Sequence, residues 1–254
     1  MDKLTTDDTS WGKVADWYSN AVLDKDSYQQ QVVLPHLLRL LKLRPKDRIL
    51  DLACGSGFFS HEFAKAGVEV LGVDIAQELI ALAVRHASPH EKFLVAPADK
   101  IPVTDQSFTH VTIVLALQNI QNLEATFFEC QRVLQSQGSL YIVLNHPTFR
   151  VPRASSWGFD EKADVNYRRV DRYMSESRIE IDMHPGKQFT ETTISFHRPL
   201  QVYMKALRKC GFAVTALEEW ISHKKSERGP RAKAEDIARK EIPLFLYLEA
   251  RKLA

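Results

Sequence analysis

The sequence predicts an α/β fold in which a doubly wound, mostly parallel sheet of seven strands is covered by helices on both faces. Two observations predict it. Short apolar runs alternate with helical patterns between residues 45 and 145, and a glycine-rich turn follows the first run. Such connections between parallel strands are right-handed crossovers. The chain has 254 residues, of which 44% are hydrophobic and 26% charged, so it can bury a sizeable core, and fibrous and disordered classes are excluded.

The elements of the first half follow in order. Apolar residues at helical spacing, among them Trp11, Val14 and Ala15, predict helices across 11–43, and Pro45 follows them. Strands are then expected at 48–53, 68–73, 92–95, 108–115 and 139–144, with helices at 58–66, 77–86 and 124–134 between them. Gly67 stops a helix, and Gln137–Gly138 forms the turn before the fifth strand.

Residues 147–197 interrupt the alternation with prolines and many charges. Period-two patterns at 178–183 and 189–196, separated by Pro185–Gly186, predict a β-hairpin. A helix at 199–210, a strand at 212–220, a polar stretch at 222–241 and a last strand at 244–250 complete the chain. We therefore expect an N-terminal helical cover (1–44), a core (45–146 and 198–254) and an inserted lid or acceptor-binding segment between strands five and six (147–197).

Charge and cysteine content limit the compartment and the partners. The 34 basic and 32 acidic residues give a net charge of +2, so no overall basic field attracts nucleic acid or anionic lipid. The cysteines, Cys54, Cys130 and Cys210, form no C-x-x-C pair, so we expect neither a metal site nor a redox dithiol. A polar N-terminus and the absence of a long apolar run favour a cytoplasmic protein without a membrane span.

A cofactor site is predicted where Asp51-Leu-Ala-Cys-Gly-Ser-Gly joins the first strand to a helix. Gly55 and Gly57 let the backbone approach a ligand, and the helix start offers free N–H groups. Asp74 closes the second strand 19 residues after Gly55, where its carboxylate can accept both hydroxyls of a ribose. These residues together predict a cofactor of the adenosine type.

Two details separate this site from a dinucleotide site. A G-x-G-x-x-G motif starting at Gly55 requires glycine at position 60, where the chain has Ser60. The carboxylate of Asp51 would repel a pyrophosphate and attract an ammonium group. A ligand with an amino acid at one end and adenosine at the other fits both details. Cys54 is assigned packing and no catalytic role.

At this point the chain resembles the class I S-adenosylmethionine (SAM)-dependent methyltransferases, over about residues 45–145 and more loosely to the final strand. Ile49-Leu-Asp-Leu-Ala-Cys-Gly-Ser-Gly is similar to their first motif, with Ala53 in place of its first glycine, and Val73-Asp-Ile75 is similar to their second-strand acid. The resemblance implies a Rossmann-like fold, SAM as cofactor and S-adenosylhomocysteine as product. An Asp that commonly binds adenine in relatives is replaced by Pro97, and Asp99 with the backbone of Ala98 is the proposed substitute. The cofactor-binding candidates are Asp51, Ala53, Gly55, Gly57, Asp74, Ile75, Ala98, Asp99 and Leu115, with Tyr18 and Tyr28 as a roof.

Acceptor residues are expected after strands four and five and in the insertion. Methyl transfer mainly needs alignment and exclusion of water, and a general base serves a hydroxyl or acidic-carbon acceptor. His146 is the first candidate for that base, with a surface histidine beside a turn as the equal alternative. Arg150 suits a carboxylate or phosphate, with an ion pair inside the lid as its alternative, and His197 is a third catalytic candidate. Asn145-His-Pro-x-Phe-Arg150 and Ser195-Phe-His-Arg-Pro resemble a bacterial branch near the ubiquinone and menaquinone methyltransferases.

The predicted function is methyl transfer from SAM by SN2 displacement to a small-molecule acceptor, for which an anionic group is one option. Residues 224–240 hold seven basic and three acidic side chains, so a methyltransferase of RNA or protein is the alternative. A solvated loop and helix is the preferred interpretation of that stretch, and a nucleic-acid partner is not expected. A non-catalytic SAM-binding or dinucleotide-binding module is a further alternative. The sequence leaves the acceptor and the oligomeric state open.

Overall fold

The computed structural model describes residues 11–183 and 191–253. Within them one seven-stranded sheet has the order β10-β11-β5-β4-β1-β2-β3, and two hairpins, β6–β7 and β8–β9, stand apart from it. The strands are β1 (Arg48–Leu52), β2 (Glu69–Asp74), β3 (Glu91–Val95), β4 (Phe108–Val114), β5 (Leu134–Asn145), β6 (Ser155–Asp160), β7 (Val165–Val170), β8 (Ser177–Asp182), β9 (Thr192–His197), β10 (Phe212–Trp220) and β11 (Phe245–Lys252). Only β11 runs antiparallel within the described sheet, against β5 and β10. The predicted doubly wound α/β fold with a mostly parallel sheet of seven strands is confirmed.

Helices cover both faces of the sheet and bury two large apolar clusters against it. The helices of the described residues are α1 (Ala15–Leu23), α2 (Leu34–Leu41), α3 (Phe58–Ala64), α4 (Gln77–Arg85), α5 (Leu123–Val133), α6 (Leu200–Lys209) and α7 (Ala232–Glu241). The last of these, α7, packs mainly against β7 and not against the sheet. One cluster packs Phe127 of α5 and Leu207 of α6 on β4 and β5, and the other packs Leu37 of α2 and Phe63 of α3 on the opposite face. Both faces are therefore dry, which is why the central strands are nearly continuous apolar runs.

The N-terminal region is helical as predicted but is not one uniform helix. A break follows α1 at Asp24, whose backbone leaves the helical region with ψ 127°, and residues Gln29–Val33 form a π-helical turn that runs into α2. Short π-helical segments are rare and occur mostly as single turns within α-helices. No helix among the described residues is long and apolar enough to span a lipid bilayer.

The segment between β5 and α6 contains the two hairpins. The predicted hairpin corresponds to β8–β9, whose register pairs Ser177 with His197, and its Pro185–Gly186 turn and Phe189 lie outside the described residues. The β6–β7 hairpin was not predicted. Trp157 on β6 is 43% exposed, so this hairpin does not bury one face against a core. Its sequence therefore lacks the apolar–polar alternation by which a half-buried strand is predicted.

Strand β5 begins five residues earlier than predicted, at Leu134. The expected turn at Gln137–Gly138 survives inside it as an irregularity, because Gln137 has a φ of 61° and the pairing with β4 jumps between Phe108 and His110. The predicted turn at Gln137–Gly138 is therefore present, as a β-bulge within strand β5.

Candidate functional site

The glycine-rich loop lies between β1 and α3, where the strand order reverses between β1 and β4. In parallel sheets, ligands bind at the carboxyl edge at such a reversal. Ala53, Gly55 and Gly57 have φ values of 58°, 57° and 83°, so the loop turns through left-handed backbone at every second residue. A Cβ on Gly57 would lie 2.9 Å from the Cβ of Ala83, which only glycine avoids. Ala53 adopts the same backbone with a side chain, so the turn is preserved at a strain cost of about 1 kcal/mol.

Asp74 joins the end of β2 to this loop. Its Oδ2 accepts a hydrogen bond from the Gly55 N–H at 2.9 Å, and its Oδ1 accepts one from the Ala76 N–H at 2.9 Å. Burial raises the pKa of the carboxyl, and the backbone N–H groups act in the opposite direction. Each carboxylate oxygen has a further acceptor position, so Asp74 can hold the loop and still accept hydrogen bonds from a ligand. Ile75 follows it and is half-buried.

Asp51 is held on both sides by hydroxyl groups. Its Oδ2 accepts from Ser60 Oγ of α3 at 2.6 Å, and its Oδ1 accepts from Thr112 Oγ1 of β4 at 2.9 Å. The residue is 2% exposed, and burial raises its pKa to about 6, with the nearby charge of Asp74 acting in the same direction. Ser60 occupies the position at which a dinucleotide-binding motif has glycine. Its hydroxyl orients Asp51, the acid whose charge distinguishes this site from a dinucleotide site. The sequence marked this position only as a missing glycine.

Tyr18 of α1 covers the loop. Its Cε1 lies 3.1 Å from the position a Cβ on Gly55 would take, and its ring packs edge-on against Trp11 with centroids 5.2 Å apart. Burial, followed by the charges of Asp74 and Asp51, raises the pKa of Tyr18. A phenol that stays protonated beside two carboxylates can donate a hydrogen bond.

The other cofactor candidates lie at different points around the edge. Leu115 directly follows β4 in left-handed backbone, φ 55°, and its N–H donates to the Val143 carbonyl at 2.8 Å. Ala98 is half-buried, whereas Asp99 is exposed and accepts a 3.4 Å bond from Asn122 Nδ2.

Tyr28 packs against β11, whereas Tyr18 packs against the glycine-rich loop. The Tyr28 hydroxyl is 3.3 Å from Ser222 Oγ, and its ring packs edge-on against Phe245 and His223. The structure therefore brings Tyr18 but not Tyr28 to Gly55.

A cavity of about 270 Å³ opens beside the ends of β4 and β5, beneath the inserted hairpins. It brings Arg150 and His197 together with residues that the sequence did not select, among them Gln118, Arg168 and Arg198. Gln118 Nε2 donates to the Leu115 carbonyl at 2.5 Å, while its buried Oε1 has no hydrogen-bond partner among the described residues. A buried acceptor without a donor is costly, so Gln118 is a side chain of this wall whose hydrogen-bonding capacity is not met within the described residues.

His146 is not among the residues that line this cavity. Its ring is 4% exposed, and both nitrogens are bonded: Nδ1 accepts from the Thr148 N–H at 3.2 Å, and Nε2 lies 2.7 Å from Glu219 Oε1. An acceptor Nδ1 places the ring proton on Nε2, which donates to the carboxylate. Burial lowers the pKa of the imidazole, and Glu219 acts against that effect. An acid–base role for His146 stays a prediction, and this geometry favours a positioning role at the start of the insertion.

His197 is arranged differently. Its Nε2 is 2.8 Å from the Tyr173 carbonyl oxygen, which accepts and therefore requires the proton on Nε2. In the neutral ring Nδ1 is then unprotonated. Because the residue lines the cavity, His197 has the tautomer that a proton acceptor needs.

The strand order with an antiparallel β11, the left-handed loop and the two buried acids are features of the class I SAM-dependent methyltransferases. Residues 50–142 match the methyltransferase domain family. The solved SAM-dependent methyltransferase from Mesorhizobium loti covers 85% of this chain and 96% of its own, with a TM-score of 0.68 at 24% identity, a likeness of fold. The resemblance inferred from sequence is confirmed, and SAM is the cofactor of this class.

Several of the curated relatives are named demethylmenaquinone methyltransferases. The chain is similar to the demethylmenaquinone methyltransferase of Renibacterium salmoninarum, 33% identical over 41% of this chain and 44% of that protein. It is similar to the enzyme of the same name from Chlorobaculum tepidum, 33% identical over 46% of this chain and 49% of that protein. The matched region thus spans less than half the length of these relatives.

Proposed function

We propose that this protein transfers a methyl group from SAM to a small-molecule acceptor bound under the inserted hairpins. The observation that carries the proposal is the position of two buried carboxylates, Asp51 and Asp74, on either side of a left-handed loop at the reversal of strand order. The cavity lined by Arg150 and His197 opens at the same edge of the sheet. Cofactor and acceptor can therefore meet there.

The residues of the loop fit SAM. Gly55 and Gly57 hold the loop in left-handed backbone, and Asp74, which binds the Gly55 N–H, has acceptor positions left for the two ribose hydroxyls. Asp51 provides negative charge for the ammonium group, and Tyr18 closes the site from above. Around the rim, Ile75, Ala98, Asp99 and Leu115 are proposed to contact the nucleoside.

Bound there, SAM supplies an electrophilic methyl on a sulfonium, which becomes a neutral thioether when the acceptor takes the methyl group. The protein aligns the acceptor and keeps water out, and these effects account for much of the rate of such displacements. Gln118 Oε1 can accept a hydrogen bond from the acceptor's O–H or N–H. The proton that this group loses is proposed to pass to His197 Nδ1, with Tyr173 holding the ring through Nε2.

A small molecule is favoured over RNA or protein as the acceptor. The relatives named demethylmenaquinone methyltransferases carry a small-molecule substrate in their name. In the basic stretch 224–240, Lys224 binds the Asp26 carbonyl at 2.7 Å, and Arg231 lies 3.6 Å from Glu161 and over the ring of Phe159. These charges are used within the chain, which reduces what remains for a polyanion. The free thiols of all three cysteines agree with the cytoplasmic location that we propose.

Calorimetry with SAM, S-adenosylhomocysteine and NAD tests the cofactor. We expect the first two to bind and NAD to fail, and Asp74→Ala to weaken SAM binding more than tenfold, with Asp16→Ala on the exposed face of α1 as the control. Preference for NAD, or an unchanged affinity of the Asp74 variant, would contradict the assignment. Labelled SAM incubated with metabolite extracts should then yield a product heavier by one methyl group.

A further inference from the structure

The acceptor cavity is lined by four arginines and by no acidic side chain. Arg150, Arg153, Arg168 and Arg198 all belong to its wall, where aspartate and glutamate are absent from the described lining. Among the ion pairs formed within residues 11–183 and 191–253, none includes these four guanidinium groups. A protein with a net charge of only +2 thus concentrates uncompensated positive charge in one cavity.

Two of these arginines are fixed in place by neutral partners. Arg168 donates from Nε to the Phe149 carbonyl at 2.8 Å and from Nη2 to Ser155 Oγ at 2.7 Å. Arg198, which is 6% exposed, donates to the carbonyls of Ile120 and Gln121 and lies over the ring of Phe196. Carbonyl and hydroxyl oxygens hold a guanidinium in position without cancelling its charge.

Arg150 differs from Arg168 and Arg198 in that its guanidinium has no partner among the described residues. Its guanidinium forms no hydrogen bond or ion pair with any residue that the structure describes. The residue as a whole is exposed, yet the surroundings of its charged end are closed enough that burial lowers the pKa of Arg150. Burial, followed by the nearby charge of Arg150, lowers the pKa of Arg168, so the two guanidinium groups repel each other. An oxyanion between them would remove this repulsion, and a guanidinium matches carboxylate and phosphate oxygens with paired N–H donors.

The arginines lie beside the reacting end of the proposed site. Gln118 and Asn145, at the ends of β4 and β5, line the same cavity, and Gln118 is bonded to Leu115 at the cofactor rim. The cavity is about 270 Å³, which suits a small molecule.

We infer that the methyl acceptor is an organic anion whose carboxylate or phosphate group is bound by Arg150 and Arg168, with Arg198 adding positive charge. The inference rests on the proposed methyltransferase function and names the substrate class. It assigns Arg150 to acceptor binding and adds Arg168 and Arg198 as specificity-determining residues. The neutral quinone-type acceptor suggested by the names of the relatives would leave these charges unused.

A binding experiment tests the anion site without knowledge of the acceptor. Protein saturated with S-adenosylhomocysteine is titrated with inorganic phosphate, or separately with malonate, at constant ionic strength against chloride, and thermal unfolding is followed. At least one of the two anions should raise the melting temperature beyond chloride, and the stronger one identifies phosphate or carboxylate as the preferred group. Arg150→Gln combined with Arg168→Gln should weaken that binding at least tenfold. Arg150→Gln alone, which breaks no hydrogen bond of the described structure, should weaken it severalfold, and Arg228→Gln on the exposed basic stretch is the matched control.

The same variants separate this inference from the proposed function. Each should bind SAM as tightly as the unaltered protein does. In the extract experiment, the labelled product should be retained by an anion exchanger and should disappear with the double variant. Anions no better than chloride, unchanged anion binding by the double variant, or a methylated product that is neutral or cationic would overturn the anion site. Loss of SAM binding in the unaltered protein would instead overturn the proposed function.

Discussion

Replacing Asp51 with asparagine should stabilise the ligand-free protein and weaken its binding of SAM, because the negative charge proposed for the ammonium group is lost. Burial raises the pKa of Asp51 to about 6 from an ordinary 3.8. At pH 7 the folded protein therefore carries a carboxylate that ionises more readily in the unfolded chain, and this pKa difference corresponds to about 3 kcal/mol of lost stability. Asparagine has the same shape, keeps an acceptor oxygen for Ser60 or Thr112 and carries no charge. We expect a gain of about 1–3 kcal/mol in the free energy of unfolding at pH 7.

The pH dependence gives this prediction its sign. Between about pH 6 and pH 4 the folded protein binds a proton at Asp51 that the unfolded chain does not, so the unaltered protein recovers stability as the pH falls through this window. The advantage of Asp51→Asn should therefore shrink from pH 7 downward and vanish near pH 4. Urea unfolding of both proteins at pH 7, 5.5 and 4, roughly spanning that window, measures it, with Asp16→Asn as an exposed control that changes little. A variant that is no more stable at pH 7, or whose advantage persists at pH 4, would refute the reasoning.

Three further predictions follow from single sites. SAM affinity should fall as the pH drops below about 6, because Asp51 then takes up a proton that the ligand's cationic group must displace; calorimetry in buffers of different ionisation enthalpy should detect proton release, and a flat profile would argue against the contact. Ala53→Gly should raise the free energy of unfolding by about 0.5–1 kcal/mol, because it relieves a φ of 58°; a lower urea midpoint would contradict this. Arg132→Ala should cost about 2–4 kcal/mol, because the Val103 carbonyl loses the Arg132 donor and the Ile101 carbonyl keeps only the Val103 N–H; a loss below 1 kcal/mol in urea unfolding would show that water replaces the guanidinium.

The sequence predicted the sheet well because its strands are buried on both faces. Their apolar runs, and the glycines and the acid that follow the first two, are local signals, and the structure places every strand of the sheet within a few residues of its prediction, apart from the early start of β5. The hairpin β6–β7 escaped prediction for the opposite reason. It pairs only with itself among the described strands, and Trp157 and Tyr167 stay exposed, so no periodic pattern announces it.

The candidate site divides in the same way. The loop acids Asp51 and Asp74 could be selected from sequence because strand ends of one parallel sheet meet at one edge. Their hydroxyl partners could not, because Ser60 and Thr112 reach Asp51 from α3 and β4 through packing. The choice of His146 as a base came from residue type and stays a prediction; only the fold shows that Thr148 and Glu219 engage both ring nitrogens.

By itself the sequence determined the order of strands and helices along the chain, the glycine-rich loop after the first strand and the chemical character of the cofactor, since each depends on neighbouring residues and on the geometry shared by all such sheets. The tertiary structure alone decided the acceptor side. Gln118, Arg150, Arg168 and Arg198 are separated by up to 80 residues along the chain and line one cavity because the inserted hairpins fold back over the ends of β4 and β5. Charge that is evenly balanced along the chain becomes concentrated there, because electrostatic interaction depends on distance in space and on burial.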